Sequence, residues 1–125
     1  MLNDDDLNRY ARQVIIPNFE EDGQENLLNT KSLIVGAGGL GCPVALYASA
    51  AGFGHIEIYD EDIIEISNLN RQIAHKNNHI GNNKAENLVQ ECLKINPNIS
   101  IISRKNIFDE TVAVSYTHLT LPTNP

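Results

Sequence analysis

Positive charge is scarce in this chain. Nine lysines and arginines face sixteen aspartates and glutamates, which leaves a formal net charge of -7 at neutral pH. A surface of that sign repels nucleic-acid phosphates and anionic headgroups, so a general binder of nucleic acid or of membranes is excluded. The acids gather in Asp4 to Asp6 and Glu20 to Asp22, and a solvated surface accounts for both runs. Long hydrophobic runs are also missing. No apolar stretch can span a bilayer, and Met1-Leu2-Asn3-Asp4 is not a signal peptide, so a cytoplasmic protein is expected. Cysteine is reduced to Cys42 and Cys92, which form no CxxC pair. Cys92 continues the helical stripe Ala85, Leu88, Val89, and Cys42 directly follows a glycine loop, so both read as buried small hydrophobes. His55, His75, His79 and His118 have no ligand-like spacing, and no metal site is expected in this chain. Internal repeats are absent.

What is present is a strand, a glycine loop and a helix. Ser32 to Val35 is a short apolar run suited to a buried parallel strand. Gly36, Gly38 and Gly41 then fit G-x-G-x-x-G, with Gly39 inside the loop. The first glycine permits the tight turn, the second admits a phosphate, and the third allows close helix packing. The alanine-rich segment from Leu40 to Ala51 follows as a helix whose positive end would face that phosphate. Ile56 to Asp60 reads as a second strand ending on an acid, about twenty residues past the loop, where a ribose-binding carboxylate belongs.

The remaining elements complete an α/β reading with a mainly parallel sheet. Asp6 to Val14, stopped by Pro17, and Gln24 to Asn29 are expected as short N-terminal helices. Residues 61–82 form a long polar connection with one helical turn near Leu69 to Ala74. Asn83 to Ile95 is an amphipathic helix ended by Asn96-Pro97, and Ile99 to Ser103 is a third strand. A 125-residue chain can form one domain with a modest core.

Two cations stand out against the acidic background. A triphosphate carries about two more negative charges than a dinucleotide, so extra cationic groups should converge on its site. Arg71 and Lys84 are placed to serve, and Asn68 can donate from its amide. Each has a plainer explanation: Arg71 as a surface partner of Glu65, Lys84 as a solvated residue in a first helical turn. A cation there opposes the helix dipole by about 0.3–1 kcal/mol, which a bound anion would offset.

Five segments together, Arg9-Tyr10-Ala11-Arg12-Gln13, Gly36 to Cys42, Asp60 to Asp62, Ser67-Asn68-Leu69-Asn70-Arg71-Gln72 and Gly81 to Lys84, resemble the ThiF/MoeB/HesA family. Its members are bacterial relatives of ubiquitin-activating enzymes. The segments occur in the family's order, over about residues 8 to 112. The resemblance implies a Rossmann-like ATP-binding domain and an adenylyltransferase. Such an enzyme takes ATP and Mg²⁺ and adenylates the C-terminal Gly-Gly carboxylate of a ubiquitin-like sulfur carrier of the ThiS or MoaD type, releasing pyrophosphate. By motif, Gly36, Gly38, Gly39 and Gly41 would cradle the nucleotide and Asp60 would hold the ribose. Asn68 and Arg71 would contact phosphates, Lys84 would stabilise charge at the α-phosphate, and Asp62 is an acid of the same loop with a less defined role. Arg12 would reach in from a partner subunit, which implies a homodimer.

Family members are longer than this chain, so residues 1–113 are expected to be the N-terminal part of the domain, with the C-terminal half missing. The Mg²⁺-binding aspartate, zinc-binding CxxC pairs and a transfer cysteine would lie in that missing half. Residues 114–125 depart from the family pattern and resemble read-through into a sequencing adapter, a non-native tail; a strand with a proline-containing end is the other reading. Two other functions remain open: an NAD-dependent oxidoreductase, suggested by the glycine motif with Asp60, and a non-catalytic nucleotide-binding fragment.

Overall fold

The structure, a computed structural model, describes residues 1–105. The expected boundary near residue 113 and the tail 114–125 lie outside the described residues. Among the described residues five α-helices and three strands follow one another: α1 (Asp4–Arg9), α2 (Ala11–Val14), α3 (Glu20–Leu28), β1 (Lys31–Val35), α4 (Gly41–Ala51), β2 (His55–Tyr59), α5 (Lys84–Ile95) and β3 (Ser100–Arg104).

The strands form a parallel sheet in the order β1-β2-β3, with Ile34 level with Ile58 and Ile56 level with Ile101. Each crossover is a helix, as parallel neighbours require. Alternation along the strands puts Ile34, Ile56, Ile58 and Ile101 on one face. There α4 and α5 pack against each other and close the core with Cys42, Ala45, Ala85, Leu88, Val89 and Cys92. Both cysteines are buried thiols, as their positions suggest. The opposite face is more open: Val35 is 59% and Ile102 42% exposed.

The N-terminal helices differ from expectation in their limits. The segment expected as one helix from Asp6 is broken at Tyr10 into α1 and α2, and the second helix begins at Glu20 rather than Gln24. Tyr10 turns inward at the break. It is 1% exposed, and its hydroxyl accepts a hydrogen bond from Asn96 Nδ2 at 2.8 Å. Gln13 Nε2 and Gln24 Nε2 both donate to the Ala51 carbonyl, at 2.9 and 3.0 Å, at the end of α4. Those bonds satisfy a helix-terminal carbonyl that would otherwise lack a partner.

The connection after β2 departs from expectation too. Its helical turns are 3₁₀ turns at Ile66–Asn68 and Asn77–His79, not at Leu69 to Ala74. The reason is local capping: Asn68 Oδ1 accepts from the Glu65 amide at 2.9 Å and closes the turn early. Lys76 Nζ then donates to Glu91 Oε1 at 2.9 Å, tying the connection to α5.

Candidate functional site

The glycine loop leaves β1 at its carboxyl end. Gly36 has φ +99°, a conformation costly for any residue with a Cβ, and it donates to the Tyr59 carbonyl at 2.7 Å. Its carbonyl lies so close to Gly41 that a Cβ there would overlap it. The first and third glycines thus do what the motif assigns them. Beside Gly38, the space a Cβ would fill ends at Gln72 Nε2, 3.4 Å away. The N-terminus of α4 has Leu40 as its cap and no side-chain cap hydrogen bond. Its Cys42 amide donates to the Gly38 carbonyl at 3.0 Å and Pro43 has no N–H, so Gly41 offers the one first-turn amide that these bonds leave over.

Asp60 follows β2 directly and braces the loop. Its Oδ2 accepts from the Ala37 amide at 2.8 Å, and its Oδ1 accepts from the Asp62 amide at 2.8 Å. The Asp62 carbonyl in turn accepts from the Lys84 amide at 2.9 Å and from Asn83 Nδ2 at 3.3 Å. Asn83 caps α5 by accepting from Glu86, and its Nδ2 also donates to the Asp60 carbonyl at 3.0 Å. Asp60, Asp62 and the start of α5 are therefore one hydrogen-bonded unit, which fixes where Lys84 begins its helix.

Lys84 is not the solvated lysine of the plainer reading. It is 8% exposed, and its ammonium has no ion pair or hydrogen bond among the described residues. Arg71 is exposed, but it is not paired with Glu65. Its Nη1 donates to the Ser67 carbonyl and to Asn70 Oδ1, both at 3.1 Å, with no acid partner among the described residues. The Arg71 stem lies 3.8 Å from where a Cβ on Gly39 would stand. Asn68 is 8% exposed, and its oxygen is engaged by Glu65. Arg71 and Lys84 are thus two cations without acid partners among the described residues, Arg71 beside Gly39 and Lys84 at the start of α5, where its amide joins the Asp60–Asp62 unit.

Arg12 is not part of this cluster. It is exposed on α2, which packs against α1 and α3. Asp62 contributes its backbone to the unit, and its carboxylate is exposed.

Several working residues escape sequence reasoning. His75 is 3% exposed behind the loop, with Nε2 2.7 Å from the Ala37 carbonyl and Nδ1 2.9 Å from Asn87 Nδ2. Burial pushes its pKa down, against the raising effect of the Ala37 hydrogen bond. Burial likewise pushes the Cys42 thiol up, so the Cys42–His75 contact at 3.6 Å joins two neutral groups. A polar Asn87 next to the apolar stripe of α5 was the one signal in the sequence; His75 carried none within a polar loop. Among the described residues no group of three or more His, Cys, Asp or Glu gathers to hold a metal.

The chain belongs to the ThiF family, whose pattern matches residues 10–119. It is 42% identical over 100 residues to the adenylyltransferase and sulfurtransferase MOCS3 of Arabidopsis thaliana, covering 80% of this chain and 22% of that protein. With MOCS3 of Drosophila sechellia the identity is 47% over 100 residues, covering 80% and 22%. The chain thus spans about a fifth of the length of these curated relatives. Among solved structures, E. coli MccB with AMPCPP and MccA matches with TM-score 0.74 and 35% identity, covering 86% of this chain and 33% of that one. E. coli tRNA N6-threonylcarbamoyladenosine dehydratase, TcdA, in complex with AMP matches with TM-score 0.85, covering 95% and 48%. At 23% identity that likeness establishes the fold alone. No described helix is long and apolar enough to cross a membrane.

Proposed function

We propose that this chain is the nucleotide-binding part of an ATP-dependent adenylyltransferase that activates the C-terminal glycine carboxylate of a ubiquitin-like sulfur carrier. The observation that carries the reading is the pair Arg71 and Lys84, cations without acid partners among the described residues, Arg71 beside the glycine loop at Gly39 and Lys84 at the start of α5 on the Asp60–Asp62 unit. A dinucleotide oxidoreductase would leave both cations without a purpose. The names of the relatives, adenylyltransferases and a structure holding the ATP analogue AMPCPP, support the same choice.

In this reading the loop amides and α4 hold the phosphates, and Asp60 orients the ribose with the acceptor capacity that Ala37 and Asp62 leave free. A carrier carboxylate oxygen attacks the α-phosphorus. A new P–O bond forms to the acyl oxygen, the bond to the bridging β-oxygen breaks, and pyrophosphate leaves with its electron pair. Arg71 and Lys84 neutralise charge that grows in this step, and the rest is positioning. Mg²⁺ would accompany the nucleotide, on an aspartate of the parent protein outside this chain, as family resemblance implies. Arg12 would act from a second subunit in a homodimer, and zinc and a transfer cysteine would belong to the parent's remaining part. The reading places the protein in the cytoplasm.

The test is isotope exchange. The full-length parent, with ATP, Mg²⁺ and a carrier ending in Gly-Gly, should exchange labelled pyrophosphate into ATP and should need the terminal carboxylate. The 125-residue chain should give little exchange. A parent that shows no exchange with any of several such carriers, or binds NAD more tightly than ATP, would overturn the assignment.

A further inference from the structure

Ala37 is fully buried, and its peptide is gripped on both sides. Its amide donates to Asp60, while its carbonyl receives the Cys42 thiol at 3.3 Å and lies 2.7 Å from His75 Nε2. The proton on that imidazole can be placed by elimination. A carbonyl only accepts, so Nε2 must carry hydrogen. Asn87 Nδ2 donates to the Ala74 carbonyl at 3.0 Å, which fixes the amide's orientation, and its second hydrogen points at His75 Nδ1. Nδ1 must then accept. A doubly protonated ring would set two donors against each other there.

We propose that His75 is a positioning residue for the phosphate loop: Asn87 locks its Nε2–H tautomer, and that hydrogen holds the Ala37 carbonyl so that the following amides face the nucleotide. The inference rests on reading the loop as a nucleotide site. His75 touches no ligand in this role and acts through Ala37. Nothing else in the fold requires an imidazole here, because an apolar side chain of similar volume would fill the same space in the core. The hydrogen-bond chain Asn87–His75–Ala37 ends in the loop between β1 and α4, not in the sheet or in a helix.

The test compares His75→Gln, whose amide nitrogen can reach the Nε2 position, with His75→Leu, in the full-length parent. For His75→Leu we expect the ATP KM to rise about tenfold with kcat for pyrophosphate exchange changed less than threefold, and calorimetric ATP affinity to fall by a like factor. His75→Gln should stay within about threefold of wild type in both. Amide exchange without nucleotide supplies the second readout: the Ala37 amide should exchange about tenfold faster in His75→Leu, while the central-strand Ile58 amide does not change. If His75→Leu fails to fold, Asn87→Leu frees the tautomer while keeping the ring, and the same rise in KM is expected. Equal ATP binding in wild type and His75→Leu would overturn the role of His75, as would a His75→Gln variant as impaired as His75→Leu. A wild type that binds no ATP would instead overturn the nucleotide reading; the Ala37 exchange rate would then still decide whether His75 holds the loop.

Discussion

Asp60 Oδ2 accepts the Ala37 amide at 2.8 Å, so the acid after β2 is tied to the loop after β1 before any ligand arrives. The same carboxylate takes the Asp62 amide on its other oxygen. Hydrogen bonds to a charged acceptor contribute about 1.5–3 kcal/mol each, less where water competes. Asp60→Ala should therefore lower the stability of the parent by about 2 kcal/mol and weaken ATP binding as well. Asp60→Asn keeps one acceptor and should lie between the two. Chemical denaturation with and without ATP checks both effects; an Asp60→Ala protein of unchanged stability would remove the bracing role.

Arg71 separates binding from folding more cleanly. Its guanidinium is exposed and bonded only to its own turn, through the Ser67 carbonyl and Asn70. Exposed contacts of that kind contribute little to stability. Arg71→Ala should leave the melting temperature within about 2 °C and weaken ATP binding roughly ten- to a hundredfold, the cost of a charge-assisted phosphate contact. A sharp drop in melting temperature with intact ATP affinity would make the residue structural.

The βαβ core was legible because its signals are local. The apolar run before Gly36, the glycine spacing and the stripe Ala85, Leu88, Val89, Cys92 each depend on a few neighbouring residues, and the structure places them as read. Asp60 and Lys84 stand out in the sequence by motif, yet their surroundings do not. That Lys84 is buried follows from the Asp60–Asp62–Asn83 unit, which joins segments far apart in sequence. Tyr10 and Gln13 lie in the segment Arg9 to Gln13, but their tasks are not legible there because their partners Asn96 and Ala51 are distant in the chain. The shift of the helical turn to Ile66–Asn68 came from a side-chain cap that competes with helix periodicity.

His75 and Glu91 both make stability depend on pH, the first losing its contribution from 6.5 downward and the second from 4.5 downward. Burial holds His75 below its ordinary value of 6.5, so the unfolded chain binds a proton that the folded chain refuses. Stability from this group is complete above 6.5 and is lost as pH falls toward the lowered folded value. Lys84 and His79 act in the same direction as burial, while Asp60 opposes it. Glu91 is also buried, which alone would raise its pKa, but hydrogen bonds from Lys94 and Lys76 bring the net value below 4.5. Its contribution persists above 4.5 and is lost as pH falls through the folded value. Denaturation midpoints measured from neutral to acid pH should fall in both windows. His75→Gln should remove the first loss and Glu91→Gln the second, and a wild-type profile flat below 6.5 would contradict the His75 assignment.

Lys84 should show opposite signs in stability and in catalysis. The residue is 8% exposed, begins α5, and has no acid partner among the described residues. A cation in the first turn is disfavoured by the helix dipole by about 0.3–1 kcal/mol. Lys84→Met keeps the apolar stem and discards the charge. The parent without nucleotide should then melt about 1–4 °C higher. Pyrophosphate exchange should fall by about a hundredfold or more, well beyond the loss in ATP affinity, because the proposed contact strengthens as charge develops at the α-phosphate. Thermal melting, calorimetry and exchange on the same preparation separate the three quantities. A Lys84→Met protein that melts lower while exchanging normally would show a lysine kept for the fold and would remove it from the adenylation step.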